Sequence, residues 1–252
     1  MTDRPTPTVH LILGASGGIG SALARRLTGS GARVVLAARG RGRLEALATE
    51  IGNGAELVTV DATDVDAVAD VVAETVARHG RLDGIASCVG SLLLKAAHQT
   101  SRNEWRQTLD QNLTTAFAVV RAAGRSMKRG GSVVLLSSAA ARIGLANHEA
   151  IAAAKAGVIG LALAAAATYA GRGLRFNVVA PGLVDTPLAA AITGNALVRK
   201  ASEAIHPLGR IGRPEDVASA VAWLLDPAND WVTGQVMGVD GGLGSVRPRA
   251  SS

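Results

Sequence analysis

A glycine-rich segment near the start of the chain contains the residue types that bind phosphate. It runs Gly14-Ala15-Ser16-Gly17-Gly18-Ile19-Gly20 and follows an apolar run at Val9–Leu13. Glycines at this spacing let the chain turn tightly and bring backbone N–H groups close to a pyrophosphate, and the start of a helix adds partial positive charge. Placed after a first strand and at the head of a helix, the segment predicts a dinucleotide-binding loop.

Arginines follow the second apolar run. That run ends on Ala38, and Arg39, Arg41 and Arg43 come directly after it. A carboxylate at this position bonds to the ribose hydroxyls of NAD and repels a 2′-phosphate, whereas a guanidinium binds the phosphate through two hydrogen bonds. The pattern therefore favours NADP over NAD, with Arg39 as the phosphate partner. The alternative is that these arginines are only the solvated start of a helix.

Short apolar runs alternate with helical segments along the whole chain. The helical segments lie at about 18–30, 41–51, 64–79, 101–129, 148–171 and 214–226, and Ser101-x-x-Glu104 predicts a capping box. The predicted strands are Val9–Leu13, Arg33–Ala38, Glu56–Val60, Gly84–Cys88, Ser132–Ser137, Leu174–Ala180 and Gln235–Val239. This alternation predicts a single doubly wound Rossmann-type α/β domain over residues 9–244, with a parallel seven-stranded sheet. Flexible tails are expected at 1–8 and 245–252.

Several motifs in this order resemble those of the short-chain dehydrogenase/reductase family, including its 3-oxoacyl-acyl-carrier-protein reductase branch. They are the glycine loop, Asp61 in Val-Asp-Ala-Thr-Asp, Asn112 in Gln-Asn-Leu, Ser137-Ser138, Lys155, Asn177 in Asn-Val-Val-Ala-Pro-Gly, and the segment 232–242. The resemblance covers roughly residues 9–244. It implies an NADP-dependent oxidoreductase that acts on a carbonyl/alcohol pair in a small or acyl-carried substrate.

The resemblance also implies which residues contact the cofactor. Asp61 and Ala62 would contact the adenine, and Gly90 would border the cofactor. Val184 and Thr186 would hold the nicotinamide carboxamide. Together with the glycine loop, the expected cofactor-binding residues are Gly14, Ser16, Gly18, Ile19, Gly20, Arg39, Asp61, Ala62, Gly90, Lys155, Pro181, Val184 and Thr186.

The catalytic residues that the family implies are present except for one. Ser138 would polarise the carbonyl, Lys155 would hold the nicotinamide ribose and Asn112 would support a proton-relay water. The family's proton donor is a tyrosine four residues before the lysine, and here that position is Ile151, which cannot donate a proton. The single tyrosine, Tyr169, lies 14 residues beyond Lys155 on the same helix, which is about 20 Å at ~1.5 Å per residue.

His148 is a hypothetical replacement for the tyrosine. Positions 148, 151 and 155 share one face of a helix. Histidine titrates near neutrality, and a nearby ammonium would ease loss of its proton. We therefore expect His148 to give the proton directly or through a water. The alternative is a histidine at a helix start with no chemical role.

The missing tyrosine leaves two other functions open. The chain could bind a nicotinamide nucleotide without hydride transfer, as a sensor or scaffold subunit, or it could catalyse a different reaction such as dehydration. Retention of Ser138, Lys155 and Asn112 argues against a pure binding protein.

Composition excludes several other classes of protein. The chain has 252 residues, of which 48% are hydrophobic, so it can bury a core and is not intrinsically disordered. Cys88 alone cannot build a disulfide framework, and no metal site is expected from the histidine spacing. The net charge of +6 comes from arginines spread along the chain, and no nucleic-acid motif is present, so we expect no nucleic-acid partner.

Targeting and assembly are predicted from the ends and from one helix. The first residues, 1–8, contain no apolar signal region, and the uncharged run between Lys155 and Arg172 is shorter than the ~20 residues of a membrane span. A soluble, cytoplasmic protein without membrane contact is therefore expected. Because residues 152–170 are apolar around the whole helix, a homodimer or homotetramer is expected, with an ordinary buried helix as the alternative.

Overall fold

Seven parallel strands form the centre of the molecule. The structure is a computed structural model that describes residues 6–52 and 54–247. The sheet order is β3-β2-β1-β4-β5-β6-β7. Its strands are β1 (Val9–Leu13), β2 (Arg33–Ala38), β3 (Glu56–Thr59), β4 (Gly84–Ser87), β5 (Gly131–Leu136), β6 (Leu174–Pro181) and β7 (Val236–Val239). The predicted doubly wound Rossmann-type domain is confirmed, and most of the expected tail residues lie outside the described ranges.

Helices cover both faces of the sheet, which explains why the strands are continuous apolar runs. One buried cluster packs α3, α5 and α6 on one face, and a second packs α1, α2 and α9 on the other. The helices are α1 (Gly18–Gly29), α2 (Arg41–Ile51), α3 (Val65–His79), α4 (Arg102–Leu109), α5 (Thr115–Ser126), α6 (Glu149–Tyr169), α7 (Ala190–Thr193), α8 (Ala196–Ile205) and α9 (Pro214–Leu225).

The helix expected over 101–129 is not continuous. A π-helical turn at Asp110–Thr114 separates α4 from α5, and α5 ends at Ser126. Neither glycine nor proline marks this turn in the sequence, so helical periodicity alone could not place it. Two helices, α7 and α8, were not predicted as helices, although Asn195 caps α8 by accepting from the backbone N–H groups of Leu197 and Val198.

Helix α6 is a core helix of this fold. With the 3₁₀ turn that continues it to Arg172, the helix is long and apolar enough to cross a membrane by length and composition alone. It is also longer than the uncharged run between Lys155 and Arg172. In the domain, Ile151, Lys155 and Val158 are among its buried residues, and the helix packs on β6. A core helix with these contacts passes the same length and composition test, so that test carries no membrane assignment.

Tyr169 has a packing role. Its ring lies 5.6 Å from the ring of Phe176, and the guanidinium of Arg172 sits 5.4 Å above it. Gly124 on α5 makes room for the ring, since a β-carbon there would come within 2.6 Å of the tyrosine oxygen. The lone tyrosine thus packs the end of α6 against α5 and β6.

Candidate functional site

A cleft opens at the carboxyl ends of the strands, where the strand order reverses between β1 and β4. Ligands of open α/β sheets bind at such a switch point. Of the residues expected to bind cofactor, those lining the cleft are Gly14, Ser16, Gly18, Ile19, Arg39, Asp61, Ala62, Gly90 and Thr186.

The glycine loop leaves the start of α1 open to this cleft. Gly14 has a φ of +76°, and a β-carbon on it would lie 2.8 Å from the carbonyl carbon of Cys88, so only glycine fits there. Gly17 caps α1 without a side-chain hydrogen bond, and the first turn contains no acidic residue. The first N–H groups of α1 are therefore available to an anion, and the helix dipole favours one.

Gly20 has a different role from the rest of the loop. It is buried and does not line the cleft, and a β-carbon on it would collide with the carbonyl oxygen of Gly14. This glycine allows α1 to pack tightly on its own loop. Its contribution to an anion site is through that packing.

Two arginines line the far end of the cleft. Arg39 and Arg43 are exposed cleft residues, and within the described chain neither forms a salt bridge. Arg41 does not line the cleft, and its Nε instead donates to Glu45 Oε1 at 2.8 Å. Arg43 was not singled out as a cofactor residue from the sequence, although it lies one helical turn beyond Arg39. This end of the cleft suits a dianionic phosphate.

Asp61 borders the same end of the cleft. Its Oδ1 accepts hydrogen bonds from the backbone N–H of Thr63 at 3.0 Å and from the Thr63 hydroxyl at 2.9 Å. These bonds, first the backbone one, hold the pKa of Asp61 below its ordinary value, and the charge of Arg39 acts in the same direction. Asp61 is thus an ionised acceptor held in a fixed orientation.

At the other end of the cleft, Gly90 leaves a gap that two polar side chains border. A β-carbon at Gly90 would lie 3.0 Å from Asn112 Oδ1 and 3.4 Å from Lys155 Nζ. Since Gly90 lines the cleft, both atoms lie next to a residue of the cleft lining. Lys155 and Asn112, predicted from distant parts of the sequence, are brought together here.

The π-helical turn positions Asn112. Its Nδ2 donates to Ser91 Oγ at 2.9 Å and to the Thr108 carbonyl at 2.9 Å, while its Oδ1 accepts from the Ser91 N–H at 3.2 Å. The side chain is buried and fully engaged between the turn and the segment after β4. Asn112 therefore fixes the segment that carries Gly90.

Lys155 is held at the end of β5. Its Nζ donates to the Leu136 carbonyl at 2.9 Å, and its own carbonyl accepts from the Ser137 hydroxyl at 2.8 Å. Burial lowers the pKa of Lys155 to about 8 because it disfavours the charged amine. Burial also raises the pKa of the neighbouring Cys88 thiol to about 12, so this thiol is neutral at physiological pH.

The other proposed catalytic residues lie around this lysine. Ser138 is half-buried and lies two residues beyond the end of β5, and its Oγ accepts from the Ala140 N–H at 3.2 Å. Ile151 is 3% exposed and lies one turn before Lys155 on α6. His148 is the residue before α6, with Nδ1 2.7 Å from the Ala146 carbonyl. Because a carbonyl only accepts, that nitrogen carries the hydrogen, and Nε2 has no hydrogen-bond partner among the described residues.

Ser138, Lys155, Asn112 and His148 do not themselves line the cleft. Pro181 and Val184 do not line it either: Pro181 ends β6, and Val184 is buried in a bridge to Gly212. Cleft residues that the sequence did not single out include Thr63, Gln111 and Leu188. Each comes from a loop or helix whose position depends on tertiary packing, so no local signal marks it.

Comparison with known proteins assigns a family. Residues 14–244 match a family model described as Enoyl-(Acyl carrier protein) reductase. A cis-4-hydroxycyclohexanecarboxylate dehydrogenase from Sinomonas cyclohexanicum is 39% identical over 94% of this chain and 97% of its own. The 3-oxoacyl-[acyl-carrier-protein] reductase FabG of Thermotoga maritima is 33% identical over 93% of this chain and 97% of its own.

Solved structures agree with the sequence relatives. A short-chain type dehydrogenase/reductase from Mycobacterium ulcerans superposes with a TM-score of 0.88 at 35% identity, over 94% of this chain and 89% of its own. The protein ElxO with NADP bound gives a TM-score of 0.88 at 26% identity, over 94% and 99% of the two chains. With the glycine loop at the switch point of the same sheet, the chain belongs to the short-chain dehydrogenase/reductase family of NAD(P)-dependent oxidoreductases.

Proposed function

We propose that this protein is an NADP-dependent oxidoreductase that interconverts a carbonyl and an alcohol in a small or acyl-carried substrate, with Ile151 in the position of the family's tyrosine. The observation that carries this proposal is the layout of the cleft. One end presents Arg39 and Arg43, and at the other end Lys155 Nζ and Asn112 Oδ1 lie next to Gly90 in the cleft lining. The relatives named for a cyclic hydroxy acid and for acyl-carrier substrates support this substrate range.

The residues present fit a dinucleotide with a 2′-phosphate. The first N–H groups of α1 suit the pyrophosphate, and Arg39 and Arg43 suit the additional phosphate. The site has no carboxylate directly after β2 that would repel this phosphate, since Ala38 ends the strand. NADP-bound ElxO adds support from a structural relative. When bound, the nicotinamide supplies or accepts a hydride.

The chain's own residues would prepare the substrate for that transfer. The Ser138 hydroxyl would donate a hydrogen bond to the carbonyl oxygen and stabilise the charge that develops there. Lys155, fixed to the Leu136 carbonyl, would use one of its two remaining N–H donors to hold the ribose hydroxyls. Asn112 would orient the Gly90 segment and support a relay water.

Because Ile151 cannot donate a proton, another group has to protonate the substrate oxygen. His148, with a free Nε2 at the start of α6, is the candidate that helix geometry suggests, directly or through a water. The second candidate function, nucleotide binding without turnover, is favoured by Ile151 alone. Retention of Ser138, Lys155 and Asn112 supports the enzyme.

One set of measurements separates the two functions. We expect NADPH to bind more tightly than NADH, measured by fluorescence. We also expect NADPH oxidation with some members of a panel of cyclic ketones and 3-oxoacyl thioesters. Ile151→Tyr should raise kcat by supplying a phenol, and His148→Ala should lower it if His148 is the donor. Binding without oxidation in the wild type, with oxidation appearing only in Ile151→Tyr, would contradict the enzyme and favour the sensor or scaffold.

We also propose that the protein acts as a homodimer or homotetramer. The face of α6 turned away from the sheet carries small and apolar exposed residues, among them Ala156, Gly160 and Leu163. The cytoplasmic location stays a prediction from the sequence.

A further inference from the structure

Lys155 is a buried amine without a described counter-ion. Its residue is 7% exposed, and within the described chain it takes part in no salt bridge. Its ammonium has three N–H donors, and the one described hydrogen bond uses a single donor, to the Leu136 carbonyl. Two donors therefore remain for a water or a ligand.

The titratable groups around Lys155 do not neutralise it. The Cys88 thiol, directly after β4, is the group whose electrostatic interaction affects the pKa of Lys155. Burial keeps that thiol protonated. Asp110 in the π-helical turn accepts from the Thr114 hydroxyl, and Glu149 in the first turn of α6 accepts from the Ala97 N–H; both are exposed. The amine is thus free to change its protonation state without breaking an ion pair.

Lys155 Nζ lies beside a residue of the cleft lining, whereas no described contact places His148 there. Its Nζ borders the Gly90 gap, and Gly90 lines the cleft. Ile151, one turn earlier on the same face, contributes only an apolar side chain. The His148 ring is bonded back to its own loop through the Ala146 carbonyl. The amine is therefore the proton-carrying group that the described contacts place beside the cleft.

We propose that Lys155 itself gives the proton to the substrate oxygen, an inference that rests on the oxidoreductase function proposed above. As the carbonyl carbon accepts the hydride, the π electrons of the C=O bond move to the oxygen. An N–H bond of the Lys155 ammonium then breaks and an O–H bond forms, which leaves a neutral amine. The amine recovers a proton from solvent before the next turnover, and the reverse reaction runs through the same atoms.

Burial supports this role. It brings the pKa of Lys155 down to about 8, close to the pH at which the enzyme would work. A general acid is most effective when its pKa lies near the working pH, and an ordinary lysine holds its proton too tightly.

The test compares wild type, Lys155→Arg and the exposed control Lys128→Arg over pH 6–10. In the wild type and the control, kcat for NADPH oxidation should fall above a pH of about 8, because the donor loses its proton. Lys155→Arg should lower kcat on the order of 10²- to 10⁴-fold and abolish the fall, since a guanidinium stays protonated. NADPH binding, measured separately by fluorescence, should persist because the guanidinium still donates hydrogen bonds.

A second readout needs no turnover. The lysines are Lys95, Lys128, Lys155 and Lys200, so ¹⁵N spectra of the lysine amines in the cofactor-free protein can be assigned by single substitutions. One resonance, absent from Lys155→Arg, should titrate with a midpoint that matches the fall in kcat of the wild type. This wild-type comparison decides the proposal even if the variant does not fold.

Four outcomes would overturn the proposal. If Lys155→Arg keeps the wild-type rate and pH profile, or if the amine titrates far from the fall in kcat, Lys155 is not the donor while the proposed function stands. If His148→Ala instead abolishes the pH dependence, the donor is His148. If every variant, including Ile151→Tyr, binds NADPH and none oxidises it, the proposed function fails and the proton donor with it.

Discussion

Lys155 and His10 are buried titratable side chains with different surroundings. The Lys155 amine lies next to Gly90, a residue of the cleft lining. His10 lies inside β1, where its Nδ1 has no described partner and presses close to Gly84 of β4. Its Nε2 lies 3.0 Å from the Thr8 hydroxyl. In the proposed mechanism, burial has a chemical use at Lys155, whereas at His10 it only costs stability.

The cost at His10 predicts a pH-dependent stability. Burial lowers the pKa of His10 from 6.5 to about 4, and the charge of Asp83 opposes this only in part. Between these values the unfolded chain binds more protons than the folded one. The free energy of unfolding should therefore fall as pH drops from 6.5 to 4, by about 3 kcal/mol at most, at ~1.4 kcal/mol per pKa unit.

Urea denaturation between pH 4 and 8 measures this dependence. His10→Leu should flatten the curve over that window, whereas the exposed control His98→Leu should leave it as in the wild type. An unchanged slope in His10→Leu would show that other groups cause the acid sensitivity.

Arg39 and Arg43 should decide between the two nicotinamide cofactors. Each exposed guanidinium at the far end of the cleft can form charge-assisted hydrogen bonds with a 2′-phosphate. Arg39→Ala and Arg43→Ala should each raise the Kd for NADPH roughly 5- to 30-fold, which corresponds to about 1–2 kcal/mol, and leave the Kd for NADH almost unchanged. Fluorescence titration checks both values.

Arg41→Ala is the matched control, since Arg41 pairs with Glu45 outside the cleft. Equal losses of affinity for NADPH and NADH in the Arg39→Ala variant would mean that Arg39 contacts a part of the nucleotide that both cofactors share. The preference for NADP would then be contradicted.

At the scale of the elements, the capping box at the start of α4 has consequences that can be measured. In the predicted capping box, Ser101 Oγ accepts from the Glu104 N–H at 3.2 Å and Glu104 accepts from the Ser101 N–H at 2.8 Å. Glu104 also binds Lys95 Nζ, which is the main reason that its pKa falls to about 2. The start of α4 is thus tied to the segment after β4, which carries Gly90.

Loss of this cap should destabilise α4. Ser101→Ala removes the side-chain acceptor and should lower the free energy of unfolding by about 1 kcal/mol, while the exposed neighbouring variant Arg102→Ala should change it little. Chemical denaturation measures both. An unchanged stability in Ser101→Ala would show that water replaces the cap without loss.

The sequence could predict elements whose signals are local, but it could not predict their junctions. The bounds of β1 and β2 match the prediction because apolar runs with polar ends mark buried strands. The π-helical turn that places Asn112 has no such signal, since Asp110–Thr114 differs little from ordinary helix in residue type. The same holds for the cleft: the glycine loop has a motif, whereas Arg43 and Gln111 reach it only through the packing of α2 and the turn.

At the scale of the whole molecule, α6 links the proposed active site to the outer surface. Its inner face carries Ile151 and Lys155 beneath the cleft, and its outer face exposes a stripe of small and apolar residues. The stripe consists of Ala153, Ala156, Gly160, Leu163, Ala164 and Ala167. Their spacing of three, four and seven residues places them on one side of the helix. Small side chains in this pattern let two helices approach closely, so a second copy of the chain suits this face.

A charge in the middle of this stripe should separate the subunits. Leu163 is 46% exposed, and in the proposed assembly its side chain would be buried against the partner copy. Leu163→Glu would bury an unpaired carboxylate there, at a cost of several kcal/mol, so the assembly should dissociate. Light scattering coupled to size-exclusion chromatography should give a dimer or tetramer for the wild type and a smaller species for Leu163→Glu.

Leu197→Glu, on the more exposed α8, is the control that should keep the wild-type mass. A monomeric wild type, or a Leu163→Glu variant with unchanged mass, would contradict the placement of the interface on α6. Because the same helix carries Lys155, dissociation should also lower kcat at subunit concentrations where the wild type remains assembled.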